Sequence, residues 1–329
     1  MQKKIALLHR YPSNQIKETN AAFPYLQKKG IDVLTFKKFD RLNKQKNFWK
    51  SLAWIFYAPM LVFGKGYDVI YCDDSFPFYP ALVKLASPKS RVIIRLGDLH
   101  LMYYYSGMTY KILHFFEKIA WLLADQIVPI STTMADYLQE ELVHYDLEVI
   151  NDPVDPDDFH FKDNGGDGSI MFHGVLTKNK NVDVLLDAAR LLPTVDFIII
   201  GDGPDLKRLK KLAPRNVYFD GWIPFKDVPR RISGCSVGVA LRSDNPGNEY
   251  VVTSPFLQYG ILGKPCLVTR RKVFGDYPWQ FKDVYDLVGK IQLILVNPKK
   301  HGEELREYVL KNHEAKVIAE EIWELLKQA

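Results

Sequence analysis

Short apolar runs rich in β-branched residues recur along this chain, and most are followed by a longer stretch with helical spacing. In the first half they read IALLH (5–9), DVLTF (32–36), DVIYC (68–72), RVIIRL (91–96) and QIVPI (126–130). Parallel strands need a crossover and an intervening helix supplies it, so this alternation predicts a parallel sheet wrapped by helices. A second series reads SIMFHG (169–174), VDFIIIG (195–201), NVYFDG (216–221), SVGVAL (236–241) and PCLVT (265–269), with helical periods such as NVDVLLDAARLL (181–192) between the runs. The two series are separated by VINDPVDPDDFHFKDNGGDGS (149–169), dense in residues that favour turns. The predicted architecture is α/β: two doubly wound parallel-sheet domains facing a central cleft. They span 1–150 and 169–312, joined by a linker at 151–168. The stretch from 283 to 327 reads as helical throughout, and a last helix at 313–329 is expected to pack back toward the first domain.

Composition agrees with two packed domains. The chain has 329 residues, 47% of them hydrophobic and 25% charged, enough for two cores of roughly 100–200 residues each. That balance excludes intrinsic disorder and disulfide-stapled miniproteins. Cys72, Cys235 and Cys266 all sit among apolar residues and read as buried thiols in a reducing compartment, which makes the cytoplasm the expected location. The opening MQKKIALLHRYPSN reads as a first strand and not as a signal peptide. The apolar run SLAWIFYAPMLVF (51–63), interrupted by Pro59, falls short of the ~20 residues that span a bilayer.

Open sheets of this kind bind ligands beyond the carboxyl ends of their strands. Gly201-Asp202-Gly203-Pro204 follows one such strand, its glycines allowing a sharp turn and its proline suiting a first helical position. It is one of four features in a fixed order: HGVLTKNKNVDVLLDAA (173–189), GDGP (201–204), VYFDGWIPFKDVPRRISGCSVGVAL (217–241) and TSPFLQYGILGKPCLVT (253–269). Together with PISTTMADYL (129–138) and VINDPVDPDDF (149–159), they resemble the family 4 (group 1) glycosyltransferases over most of 125–329. The resemblance implies the GT-B fold, with two Rossmann-like domains. It implies sugar transfer from a nucleotide-sugar with retention of anomeric configuration, the donor held by the C-terminal domain and the acceptor by the N-terminal one. No cofactor is implied beyond the donor itself.

A sugar-nucleotide diphosphate needs positive charge and backbone N–H groups. Gly174 allows close backbone approach, and Lys178 and Lys180 stand just before the next helix, with Lys180 at the family's phosphate-binding lysine. Gly203 is a further donor-site candidate. Thr253 and Ser254 precede a helical run and would present hydroxyls and helix N-terminal amides to the phosphates. Arg242, at the end of SVGVAL, is a further cation for the same group. The family pattern is incomplete. Its GRL reads Gly174-Val175-Leu176, without the arginine, and its E-x7-E element places Tyr250 and Gln258 where glutamates stand. Gln258 keeps the ability to hydrogen-bond ribose hydroxyls, and Glu249 stands one residue from the first glutamate position.

In the N-terminal half, RVIIRLGDLH ends a strand with Asp98 and His100, residue types that orient an acceptor hydroxyl or stabilise developing charge. Arg10, after the first strand, is a weaker candidate. No metal site is expected: the histidines are scattered, and Asp73-Asp74 is the only acidic pair placed just after a strand.

Between residues 37 and 66 seven Lys/Arg (37, 38, 41, 44, 46, 50, 65) face one acid, Asp40, and are joined to Trp49, Trp54, Phe56 and Tyr57. Basic residues beside aromatics suit the surface of an anionic membrane, so peripheral contact through 37–66 is expected. A second aromatic cluster, LHLMYYYSGMTYKILHFFEKIAWLL (99–123), is a candidate for holding an isoprenoid or acyl chain. Nucleic acid fits poorly, since the net +5 is concentrated in one aromatic stretch. The resulting expectation is a glycosyltransferase of hexosyl type, moving a sugar from a UDP- or GDP-sugar to a lipid-linked or other glycan acceptor at the cytoplasmic membrane face. The alternative is a catalytically degenerate scaffold on the same fold.

Overall fold

The computed structural model describes residues 3–9, 20–35, 47–73, 78–142, 147–159 and 166–329. The chain divides into two units, residues 1–153 with 315–329, and residues 154–314.

The first unit carries strands β1 (Ile5–His9), β2 (Asp32–Thr35), β3 (Val69–Asp73), β4 (Arg91–Leu96) and β5 (Gln126–Pro129). They form a 5-stranded sheet in the order β2-β1-β3-β4-β5, every pair parallel. Its helices are α1 (Phe23–Lys28), α2 (Asn47–Val62), α3 (Tyr79–Ala86), α4 (His100–Tyr104), α5 (Gly107–Leu123) and α6 (Thr132–Glu141). One sheet face packs Ala6, Leu8, Ile70 and Val92 against Trp54, Ala58 and Val62 of α2 and Val83 of α3. The other packs Leu7, Val69 and Ile93 against Phe23 and Leu26 of α1. Helix α2 runs through Pro59, which lacks the N–H its turn would use but does not end the helix. Among the described residues no helix is long and apolar enough to cross a membrane.

The second unit carries β6 (Ile170–His173), β7 (Phe197–Ile200), β8 (Val217–Gly221), β9 (Val237–Ala240), β10 (Cys266–Thr269) and β11 (Gln280–Phe281). The 6-stranded order is β11-β10-β9-β6-β7-β8. The chain therefore winds outward from β6 in one direction, returns to β9 beside it, and winds outward in the other. Helices α7 (Asp183–Leu191), α8 (Leu206–Leu212), α9 (Val228–Gly234), α10 (Ser254–Ile261), α11 (Val284–Ile294) and α12 (Pro298–His313) cover the two faces. Helix α8 begins at Leu206, so Pro204 lies ahead of the first helical position instead of occupying it. The unit's entry and exit are tied by a hydrogen bond from Val154 N–H to His313 O.

Helix α13 (Ala315–Gln328) belongs to the first unit, where Ile318, Ile322 and Leu326 join the core formed by Leu7, Val69 and Phe23. The apolar residues recurring every three or four positions in EAKVIAEEIWELLK are the cause: one stripe of the helix must be buried, and the sheet face beside α1 receives it. All three cysteines are free and buried.

Candidate active site

In a doubly wound sheet the loops leaving two adjacent strands diverge at the strand where the winding reverses, and a crevice opens beyond their carboxyl ends. In the second unit these strands are β6 and β9, which pair through Ile170–Val237 and Met171–Gly238. The loop after β6 carries Gly174, Lys178 and Lys180, and the loop after β9 carries Arg242. Lys178 is exposed and Lys180 half-buried, both within one 3-10 turn. That turn is fixed to the β9 loop because Ser243 N–H donates to Asn179 O at 3.0 Å and the two side chains meet at 2.9 Å. Arg242 is half-buried; its backbone N–H donates to Thr269 Oγ1, and its side-chain Nε is buried with no hydrogen-bond partner. A buried guanidinium N–H left unpaired costs free energy that an anion at this position would recover.

Helix α10 closes the arrangement. Thr253 is its N-cap and accepts from Phe256 N–H, so that hydroxyl is committed to the helix itself, while Ser254 is exposed. One turn on, Gln258 Oε1 lies 2.7 Å from His173 Nε2, and the next residue, Tyr259, places its hydroxyl 2.9 Å from His173 Nδ1 and 2.8 Å from Met171 O. The Tyr259 ring reaches this depth because it lies on Gly238, where a Cβ would stand 2.3 Å from the ring. This explains the glycine inside the apolar strand SVGVAL. Burial, and then the charge of Lys180, push the His173 imidazole down to about 4, so it is neutral at physiological pH. Gln258 and the neutral imidazole behind it make this edge of the site uncharged.

Two of the sequence candidates have other duties. Gly203 is a glycine because a Cβ there would stand 2.2 Å from Leu176 O, and the backbone of its turn is zipped to that of residue 176 by Leu176 N–H to Asp202 O and Asp205 N–H to Leu176 O. The close approach that requires glycine is thus to protein backbone. Glu249 Oε2 accepts from Lys272 N–H at 2.9 Å, and Oε1 lies 3.7 Å from Arg271 Nε. It braces the loop after β9 against the loop after β10. Arg271, which donates to Ser243 O and Asp244 Oδ1, is the other half of that brace.

In the first unit the winding reverses between β1 and β3. Register puts His9, Asp73 and Arg95 in one row across β1, β3 and β4. His9 Nδ1 lies 2.7 Å from Asp73 Oδ2, Arg95 Nη1 donates to Asp73 Oδ1 at 2.9 Å, and Arg95 Nη2 pairs with Asp152. Asp73 is therefore paired with a histidine and an arginine; Asp74 and Arg10 lie outside the described residues. Asp98 and His100 stand at the end of β4 and the start of α4, both half-buried, with Asp98 Oδ1 accepting from Leu99 N–H.

Sequence reasoning passed over His173, Tyr259 and the His9–Asp73–Arg95 row. A polar residue closing a wholly apolar strand, as in IMFH, and a charge inside one, as in RVIIRL, were the available signals.

The expected lipid-facing segment is only partly described. Residues 37–46 lie outside the described residues, and Trp54 is fully buried, packing 5.8 Å from Tyr79, because its position on α2 faces the sheet. Trp54 is a core residue and not an interfacial one. The outward positions of that helix are Phe56 and Met60, with Phe63 just beyond its end.

The model of Glycosyltransferase Family 4 matches residues 19–158, and that of Glycosyl transferases group 1 matches residues 155–277. No curated protein matches the chain. Among solved structures, it is similar to a sucrose-phosphate synthase from Thermosynechococcus elongatus, with a TM-score of 0.78, 15% identity and 99% of each chain covered. It is similar to Anabaena HepE in complex with UDP and glucose, with a TM-score of 0.69, 15% identity and 100% of each chain covered. A lipopolysaccharide outer core galactosyltransferase, WaaB, matches with a TM-score of 0.67 and 14% identity over 99% of this chain and 100% of that one. At such identities the likeness is one of fold, and the adjoining family matches carry the assignment: this chain is a GT-B glycosyltransferase of the group 1, family 4 kind.

Proposed function

We propose that the protein transfers a hexosyl group from a UDP- or GDP-sugar to a lipid-linked or other glycan acceptor, with retention of configuration, at the cytoplasmic face of a membrane. The observation that carries the donor half is the placement of Lys180 and Arg242 on two loops, tied together through Asn179 and Ser243, that leave adjacent strands where the winding reverses. Two cations and the backbone at Gly174 suit a diphosphate, with Lys178 and Ser254 at its exposed margin. Gln258, held by His173, offers its amide N–H2 to ribose hydroxyls. The Anabaena structure containing UDP and glucose supports a uridine nucleotide as the first donor to try.

In this reading the bond from the sugar anomeric carbon to the diphosphate breaks with its electron pair on the phosphate oxygen. The acceptor hydroxyl oxygen bonds that carbon, and its proton passes to the departing phosphate. The chain's contribution is to neutralise the leaving group with Lys180 and Arg242 and to hold the reactants in place, for which Asp98 and His100 are proposed on the acceptor side. The reading needs neither a metal nor a further cofactor. It leaves Glu249 as a loop brace and Gly203 as a packing glycine.

The test is calorimetric titration with UDP-, GDP-, ADP- and dTDP-sugars, with and without a divalent cation, for the wild type and Lys180→Ala. Metal-independent binding of one donor, weakened in the variant, is the expected result. Binding that Lys180→Ala leaves unchanged would remove the central residue of the proposed site.

A further inference from the structure

Helix α5 is turned inside out for a helix on the surface of a water-soluble domain. Its apolar residues recur at 108, 112, 115, 119 and 122, one helical stripe, and all five are exposed, Met108 by 70%, Phe115 by 60% and Leu122 by 61%. The opposite stripe carries Tyr110, His114 and Glu117 beside the buried Trp121. Glu117 is buried, with His114 Nδ1 3.1 Å from Glu117 Oε2 and Lys118 paired with Glu141 at 2.7 Å, while the Tyr110 ring stacks on His114. A helix facing only water would put these two stripes the other way round.

The apolar stripe continues onto the neighbouring helices. Helix α3 packs between α2 and α5, and the Phe78 ring at its start meets Phe116 edge-on. From α3 Leu85 is exposed by 67%, and the α2 side adds Phe56, Met60 and Phe63. Contiguous exposed apolar surface on a single domain marks a site of contact.

We propose that the outward face of α2, α3 and α5 is the surface by which the protein lies on an anionic lipid bilayer, deepening the membrane-bound transferase reading on which it rests. Charge selects the bilayer over a second copy of the chain. The sequences of α2 and α3 contain no Asp or Glu, and the single acid of α5, Glu117, is buried. Lys111 on α5, Lys65 beyond the end of α2 and Lys89 beyond the end of α3 are all exposed. An apolar stripe with cations, on three helices that expose no carboxylate of their own and with Asp125 beyond α5 paired to Lys84 of α3, complements acidic headgroups, whereas two copies face to face would bring like charges together. Outward apolar side chains enter the acyl boundary while the inward Glu117–His114–Glu141 cluster stays in the protein.

The test is co-sedimentation of the full chain with phosphatidylcholine vesicles and with vesicles of phosphatidylglycerol and phosphatidylcholine in equal parts. The wild type is expected to partition onto the anionic vesicles. Phe115→Ser/Leu122→Ser should lower the partition coefficient at least about tenfold, and Lys111→Glu should lower it on anionic vesicles only. Thermal unfolding and nucleotide-sugar titration of the same proteins show that the second unit and the fold are intact. The proposal is overturned if the double variant partitions as the wild type does, or if the wild type leaves vesicles unbound. Light scattering in which the wild type is a dimer and the double variant a monomer, neither binding vesicles, would assign the face to a second copy. Failure of the wild type to bind any nucleotide-sugar would count against the transferase reading and leave the vesicle result standing.

Discussion

His173 Nε2 lies 2.7 Å from Gln258 Oε1, and its other ring nitrogen lies 2.9 Å from the Tyr259 hydroxyl, so one buried imidazole links the end of β6 to the first turns of α10. With the ring neutral, Nε2–H donates to Gln258 and Nδ1 faces the hydroxyl that Tyr259 shares with Met171 O. The amide is thereby held with its N–H2 turned away from the ring.

This geometry sets a pH dependence. In the unfolded chain the imidazole takes up a proton below its ordinary 6.5, while in the folded protein it resists until about 4. The unfolded state therefore binds more protons between those values, and stability contributed by neutral His173 is lost as pH falls through that window. The loss amounts to roughly 3 kcal/mol once pH is below 4. Chemical denaturation of wild type and His173→Asn from pH 7 to pH 4 should show the slope in the wild type and its absence in the variant. Gln258→Glu should raise the His173 titration seen by NMR, because a carboxylate facing Nε2–H favours the imidazolium; an unmoved titration would contradict the pairing.

Arg242→Met should weaken nucleotide-sugar binding about ten- to a hundredfold, the range expected when a charged hydrogen bond to phosphate is lost. Titration of Arg242→Lys distinguishes charge from geometry: a point charge restores part of the affinity, and the fork of the guanidinium the rest. Equal affinity in all three proteins would place the diphosphate elsewhere.

Gly238→Ala should destabilise the second unit by about 2–3 kcal/mol or more, since the added Cβ would stand 2.3 Å from the Tyr259 ring and a packed core does not yield that space cheaply. Gly203→Ala presses a Cβ to 2.2 Å from Leu176 O and should cost a similar amount. Urea denaturation measures both. The first variant should also disturb the His173 resonance, and the second should leave it in place.

Arg95→Met removes the partner that Asp73 and Asp152 share inside the first unit. Two carboxylates left without it should cost about 3–5 kcal/mol, far more than the worth of an exposed ion pair. A calorimetric unfolding scan that shows the first unit melting at its wild-type temperature would refute the account.

The doubly wound character of both units was legible in the sequence because parallel strands buried on both faces must be almost wholly apolar and must alternate with helices. The order of IMFH, FIII, VGVA and CLVT between helical stretches led to the same fold that the strand pairing displays. Arg242 could be named from sequence because it closely follows such a strand, and Lys180 because it falls at the family's phosphate-binding lysine in the loop after another. What those residues meet could not. Contacts such as His173–Gln258 join positions 85 apart, and no periodicity within either segment encodes which helix turn stands over which strand end. The same limit explains Trp54 and Phe115. Both are large apolar side chains on apolar helices, and a run like NFWKSLAWIFYAPMLV or GMTYKILHFFEKIAWLL has too little polar contrast to say which stripe faces the sheet. Packing decided it: the sheet accepted Trp54 on α2, while α6 supplied Glu141 and Tyr137 as partners for His114 and Lys118, drawing the polar stripe of α5 inward and leaving the apolar stripe outside. Sequence determined the strands, the helices and their alternation, which follow from local chemistry; tertiary structure alone decided which side chains meet and which face outward, because those follow from the burial of long-range partners.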